Sequence, residues 1–217
     1  MKKKEIKLTR GRLAQKGASK ELLEFFKERY PNDSAPISEV LRELQELSNT
    51  DIDYGEYVEY AIWLVDNFPP TQEPLVLNEL TEKVIIHNGN LTINCDIDGD
   101  RIIIGNGDLN IEGGANLTGR AVIWAKNVKG QNITLYDCAT IWAGAIDTIN
   151  IAAYDDADIF VEETIDTINI AAYDQSEIWA YEINAQNIMD DSRWGIRGDI
   201  NLIQPSSNPQ NVTQPAN

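Results

Sequence analysis

The chain has 217 residues, two cysteines and a formal net charge of −17, which is long enough to bury a core without a disulfide or metal staple. A charge of that size repels nucleic acid and anionic membranes, so neither is expected as a direct ligand. Cys95 and Cys138 lie 43 residues apart with no partner spacing, and no apolar run approaches membrane-spanning length or follows the basic opening MKKKEIKLTRGRL, so a reducing, cytoplasmic setting is expected.

Residues 1–74 read as a small module of three helices. In KELLEFFKERY, Leu22, Leu23, Phe25, Phe26 and Tyr30 follow Ser19, an N-cap residue with Glu21 and Glu24 near the positive end of the dipole. In PISEVLRELQEL, Ile37, Val40, Leu41, Leu44 and Leu47 recur at helical spacing after Pro36. A third helix is expected from Tyr54 to Asn67, ended by Pro69 and Pro70. So little apolar surface implies that the module leans on the remainder of the chain.

From about Leu75 the pattern changes to short runs of Ile, Val and Leu broken by Gly, Asn and Asp. The phrase DTINIAAYD occurs twice, from Asp147 to Asp155 and from Asp166 to Asp174. Around it AVIWA, ATIWA, ADIFV and SEIWA begin at Ala121, Ala139, Ala157 and Ser176, in steps of 18, 18 and 19 residues. Each is followed by Val128, Ile146, Ile165 or Ile183, then by Ile133, Ile151, Ile170 or Ile188, the last set always preceded by Asn. One extra residue near Glu163 accounts for the nineteen. Upstream, NGNLTI at Asn88 and NGDLNI at Asn106 keep the 18-residue step. A period of 18 subdivided near six is what a triangular coil of three short strands needs, because stacked coils must bring equivalent apolar residues to one central column at about 4.8 Å per step. Residues 75–203 are therefore expected to form a triangular β-solenoid of six to seven coils, in a protein that is mainly β. Left-handed hexapeptide helices and pentapeptide repeats fit less well, since their corner motifs are mostly missing. The tail, 204–217, is polar and punctuated by proline, and is expected to be disordered.

Strand alternation assigns the faces. With Ala121 and Ile123 inward, Val122 and Trp124 point outward, so Trp124, Trp142, Phe160 and Trp179 form an aromatic ladder that serves as an interface, unless the rings turn at corners or are covered by the N-terminal helices. Tyr136, Tyr154 and Tyr173 form a second ladder. The acids stack in the same way: 13 Asp or Glu and no Lys or Arg lie between Asp137 and Asp191, whereas residues 1–80 carry 11 basic against 15 acidic residues. Asp137, Asp155, Asp156, Asp158, Glu162, Glu163, Asp174 and Glu177 are the candidate partner-binding acids, expected to merge into one electronegative wall. Over three coils the line density approaches one charge per Å, comparable to or above that of duplex DNA at one per roughly 1.7 Å, although it is spread around three faces.

Nothing in the chain assigns catalysis, a metal site or a cofactor. His87 is the single histidine, and a lone His beside a strand reads as structural. DIDGD, Asp96 to Asp100, departs from the EF-hand order and lacks its closing Glu, which makes it a turn. Arg197-Gly198-Asp199 spells an adhesion tripeptide, read as chance in a cytoplasmic chain.

Leu8, Thr9, Leu13, Gly17, Ala18, Leu22, Phe25, Phe26, Trp63 and Leu64 resemble a short helical module of bacteriophage proteins, with Ser19 in place of its usual Cys. That module is often followed by repeat domains, and the resemblance implies a phage or prophage origin. In strategy an acidic repeat column resembles anti-defence proteins and pentapeptide gyrase inhibitors that pose as DNA. The expected function is thus that of a non-catalytic binding protein docking on a host nucleic-acid-binding protein, with the aromatic ladder adding contact area or building a homodimer. Assembly in the manner of bactofilins, which coils of this length resemble, and carbohydrate binding or adhesion through the ladder are the alternatives.

Overall fold

The computed structural model describes residues 5–50 and 55–204. Its N-terminal part opens with β1 (Lys7–Leu8), paired antiparallel with β2 (Ala35–Pro36). Four helices follow or flank them: α1 (Arg10–Gln15), α2 (Lys20–Arg29), α3 (Ile37–Thr50) and α4 (Gly55–Asn67). The module therefore has one helix more than the apolar periodicity predicts. The additional one, α1, buries only Leu13 and shows no apolar stripe, yet its ends are marked. The Thr9 side chain accepts the Arg12 N–H at 3.2 Å, and Gly17 takes the left-handed φ of +83° after its last turn. In α2 the Ser19 hydroxyl accepts the Leu22 N–H at 3.1 Å, as its cap position requires. Pro36 stands in β2 just before α3 and not inside its first turn. The expected start of the last helix at Tyr54 and the tail residues 205–217 lie outside the described residues.

The rest is a β-solenoid. Its strands are β3 (Leu75–Leu77), β4 (Val84–His87), β5 (Leu91–Ile93), β6 (Ile97–Gly99), β7 (Ile102–Gly105), β8 (Asp108–Ile111), β9 (Gly114–Leu117), β10 (Val122–Lys129), β11 (Asn132–Leu135), β12 (Thr140–Ala153), β13 (Asp158–Asp174), β14 (Glu177–Ser192) and β15 (Gly195–Leu202). All pair in parallel and make three faces. The first stacks Ile85, Ile103, Ile123, Ile141, Ile159, Ile178 and Ile196. The second stacks Leu75, Leu91, Leu109, Val128, Ile146, Ile165, Ile183 and Ile200, and the third Ile97, Ala115, Ile133, Ile151, Ile170 and Ile188. The predicted register holds. Between β12 and β13 it shifts after Ala143–Val161, so that Ile146 meets Ile165, and this places the extra residue at the Glu162–Glu163 corner.

The recurring Asn now has a cause. Asn150 donates from Nδ2 to Asn132 Oδ1 at 2.5 Å, Asn169 to Asn150 at 2.6 Å and Asn187 to Asn169 at 2.7 Å. Each amide has one donor and one acceptor to spare along the stack, so identical side chains one coil apart satisfy each other. Asp137, Asp155 and Asp174 take the left-handed corner conformation, with φ of 57°, 57° and 59°, a conformation that Asp and Asn enter more readily than other non-glycine residues.

The helical module caps the first end of the column. Asn49 donates to Val84 O and accepts the Val84 N–H, both at 2.9 Å, and Gln45 Oε1 accepts the Ile86 N–H at 2.7 Å. Two side-chain amides of α3 thus stand in for the strand that β4 lacks on its outer edge. Val84, Ile86, Ile102 and Ile104, outward positions of the first face, bury against the helices in one shared core. The expected dependence of the module on the solenoid resides in that core.

Candidate docking face

The first face changes character along the column because the helices end. At its top, α4 covers Ile102 and Ile104. At the next coil, Trp124 is half-covered and its Nε1 donates to Asp66 Oδ1 at 2.8 Å. Below it the tryptophans are exposed and Phe160 is half-buried. Trp142 stacks on Trp124 at 5.6 Å between centroids, Phe160 stacks on Trp142 at 4.5 Å, and Trp142 and Trp179 keep 41% and 40% of their surface exposed. Of the readings of this ladder, cover by the helices holds at the first rung, while Trp142 and Trp179 below it are exposed. The second ladder is also present: Tyr136, Tyr154 and Tyr173 stack at 5.0 and 4.6 Å with ring planes 12° and 7° apart. Burial, then the two neighbouring phenols, push the Tyr154 hydroxyl above its ordinary pKa.

The eight candidate acids do not merge into one wall. They frame the first face along its two edges. Asp137, Asp155, Asp156 and Asp174 sit at the corner that enters the face, with Asp158 and Glu177 just inside it at outward positions in mutual register. Glu162 and Glu163 occupy the opposite corner, at the bulge. A corner sends successive residues in different directions, and sequence periodicity does not show where the chain turns.

Two of the eight also have structural work. Asp155 Oδ2 accepts the Asp137 N–H at 3.2 Å, and Asp137 Oδ2 accepts the Gly119 N–H at 2.9 Å, each one coil away. Asp155→Ala is accordingly expected to lower stability by about 1–3 kcal/mol, from left-handed strain and a lost hydrogen bond. Asp155→Asn keeps both the conformation and an acceptor oxygen and should melt as the wild type does. Thermal denaturation of the pair separates the structural role of the residue from its charge.

The remaining acids have few partners. Asp156 accepts from Gln175 Nε2 at 2.9 Å, and Glu177 is 3.3 Å from Arg197 Nη1. Among the described residues, Glu177 is the only one of the eight in an ion pair. Partial burial, then the charges of Glu177 and Asp156, raise the Asp158 carboxyl above its usual range, against a backbone hydrogen bond that lowers it.

Where α4 ends, a cleft of about 640 Å³ opens beside the ladder, lined by Asp66, Phe68, Trp124, Trp142, Lys126 and Glu162 among others. Burial and the nearby Glu162 charge push the Asp66 carboxyl up, while the Trp124 hydrogen bond opposes them. Sequence reasoning did not assign Asp66 to this face, since only the docking of α4 brings it there. The runs KVIIH and RIIIG, apolar on both alternations, were the one signal that something covers the top of the face.

The other motifs serve packing. Leu8, Leu13, Leu22, Phe26 and Leu64, all from the phage-like pattern, are core residues of the helical module, so the pattern reports a fold and not a site. His87 is buried with Nε2 3.1 Å from Glu73 O. DIDGD is not the expected turn, since Ile97–Gly99 form β6; Asp96 accepts the Gly114 N–H at 2.7 Å, Asp98 accepts from Asn116 at 3.2 Å and Asp100 pairs with Lys83 at 2.7 Å. Comparison with protein-family models, with curated proteins and with solved structures finds no match to this chain.

Proposed function

We propose that this is a non-catalytic binding protein whose acidic first face docks on the basic surface of a nucleic-acid-binding protein, in place of a phosphate backbone. The observation that carries the reading is the pair of acidic edges flanking a partly exposed aromatic strip, with one ion pair to the eight acids among the described residues. Like charges one coil apart repel at about 4.8 Å spacing, and after burial, the larger cause, that repulsion adds to the upward shift of the Asp158 carboxyl. A basic partner relieves it. By strand rise the two edges lie roughly 20 Å apart, which leaves room for a basic helix about 10–12 Å wide along the aromatic strip. Its Lys and Arg side chains reach the edges, and the rings receive its cations or apolar stem. The likeness of the N-terminal module to bacteriophage modules supports a phage-encoded inhibitor acting in the host cytoplasm on a defence or DNA-processing protein.

Affinity capture from host lysate tests this. The expected catch is a basic protein that binds DNA or RNA, displaced by added nucleic acid and lost at high salt, since attraction between exposed charges is screened. Capture of acidic or neutral partners only, indifferent to added nucleic acid, would refute it.

A further inference from the structure

The two ends of the column are treated unequally. At the first end, Gln45 and Asn49 satisfy the outer edge of β4. At the other end, β15 pairs with β14, and no strand meets its far edge among the described residues. Ile200 and Leu202 stand in register with Ile183 and Ala185, which are fully buried, yet they are 46% and 67% exposed because no coil lies beneath them. Six of the twelve large apolar residues left exposed among the described residues fall between Tyr181 and Ile203. The third face is closed differently. There Asp190 takes the inward position of Ala172 and accepts the Ile196 N–H at 3.0 Å and the Ser192 hydroxyl at 2.8 Å. Among the described residues, the first and second faces end on the unpaired edge of β15, with Ile196 buried on the first and Ile200 and Leu202 exposed on the second.

We propose that this edge pairs with the same edge of a second copy of the chain, closing a tail-to-tail dimer about a twofold axis at the Gly198 corner. Self-complementarity supports a second copy as the occupant. In antiparallel pairing centred on Gly198, Arg197 of each copy faces Asp199 of the other, and the apolar run Ile200–Leu202 meets the Ile196 side of its mate. Arg193 and Arg197 are the only basic residues from Asp137 to the end of the chain, and both lie at this end. The chain's own tail is a poor occupant, since QPSSNPQNVTQPAN is polar and Pro205, Pro209 and Pro215 lack the amide hydrogen that a strand needs. Because Gln45 and Asn49 already occupy the outer edge of β4, the first face offers no matching free edge at the other end, and association is expected to stop at two copies. This inference does not depend on the docking reading, and it leaves the first face of each copy free to act in it.

Sedimentation and light scattering on the full chain, from micromolar concentration upward, provide the test. The expected species has twice the 24.3 kDa chain mass and persists in salt that dissociates a charge-driven complex. Ile200→Asp with Leu202→Asp should give a monomer with unchanged circular dichroism, both side chains being exposed already. Arg197→Asp should weaken the dimer roughly tenfold, two exposed ion pairs being lost, and adding Asp199→Arg should restore it. The proposal is overturned by a monomer at all concentrations, by a dimer indifferent to the Ile200 and Leu202 changes, or by polymers that lengthen with concentration. A monomer that dimerises only after removal of residues 205–217 also overturns it, and assigns the edge to the chain's own tail.

Discussion

Asp156→Asn, Asp158→Asn, Glu162→Gln and Glu163→Gln, combined in one variant, are expected to weaken capture of the basic partner roughly thirtyfold. Four interfacial charges at about 0.5 kcal/mol each give on the order of 2 kcal/mol, and each 1.4 kcal/mol is a factor of ten. The coil should survive the changes: Asp156 and the two glutamates are exposed, and the amides keep the shapes of the acids and an acceptor oxygen for the contacts of Asp156 with Gln175 and of Asp158 with the backbone of Glu177. The Asp137, Asp155 and Asp174 corner positions stay intact for the opposite reason, their left-handed backbone. The variant should also be slightly more stable than the wild type at neutral pH. Asp158 has a raised pKa in the fold, caused first by burial and then by Glu177 and Asp156. A raised carboxyl penalises the folded state wherever it is ionised, so the penalty is present above the raised pKa and disappears as pH falls through it toward the ordinary value of 3.8. Asn at 158 removes it at every pH. The gain in melting temperature over the wild type should therefore shrink on acidification, as thermal denaturation at several pH values will read. Unchanged capture by the fourfold variant, with its fold intact, would remove the charged edges from the function.

Ile159→Ala should have the largest effect on stability. Ile159 is fully buried on the first face between Ile141 and Ile178, themselves fully buried, and the column is too narrow for a neighbouring coil to fill the gap. Loss of the side chain is expected to cost about 2–5 kcal/mol, and at roughly 2–4 °C per kcal/mol for a chain of this size the melting temperature falls by about 5–20 °C. Ile149→Ala, at a position 44% exposed, is the control and should lie within about 0.5 kcal/mol of the wild type. Position in the column matters too. In a stack where each coil touches only its neighbours, a defect in the middle divides the array, whereas one at an end frays only the last coil. Ile200→Ala should thus shift the melting temperature far less than Ile159→Ala, although both residues occupy inward positions. Equal shifts would show that the coils do not unfold as a nearest-neighbour stack.

The legibility of the chain depends on how the fold encodes itself. The inward column, the Asn ladder and both aromatic ladders were legible because one coil repeats the next. The single register shift at Glu162–Glu163 was legible as one surplus residue between two copies of a phrase. The helix α1 escaped because a six-residue helix with one buried side chain has no period, and its cap and its terminating glycine were the only marks. The distribution of the acids escaped because a corner is a change of chain direction: Asp156, Asp158 and Glu162 lie within seven residues, yet Asp156 and Glu162 end on opposite edges of one face.

Sequence alone determined that this protein is a triangular β-solenoid, and which side chains meet from coil to coil. In a stacked repeat, a contact between coils is a contact between equivalent letters one period apart, so the period is the contact map. Tertiary structure alone decided where the column is covered and where it is open. The meeting of Asp66 with Trp124 and the amides of α3 on the edge of β4 join segments that share no period. Their geometry is set by how a non-repeating helical module packs against one end of the stack.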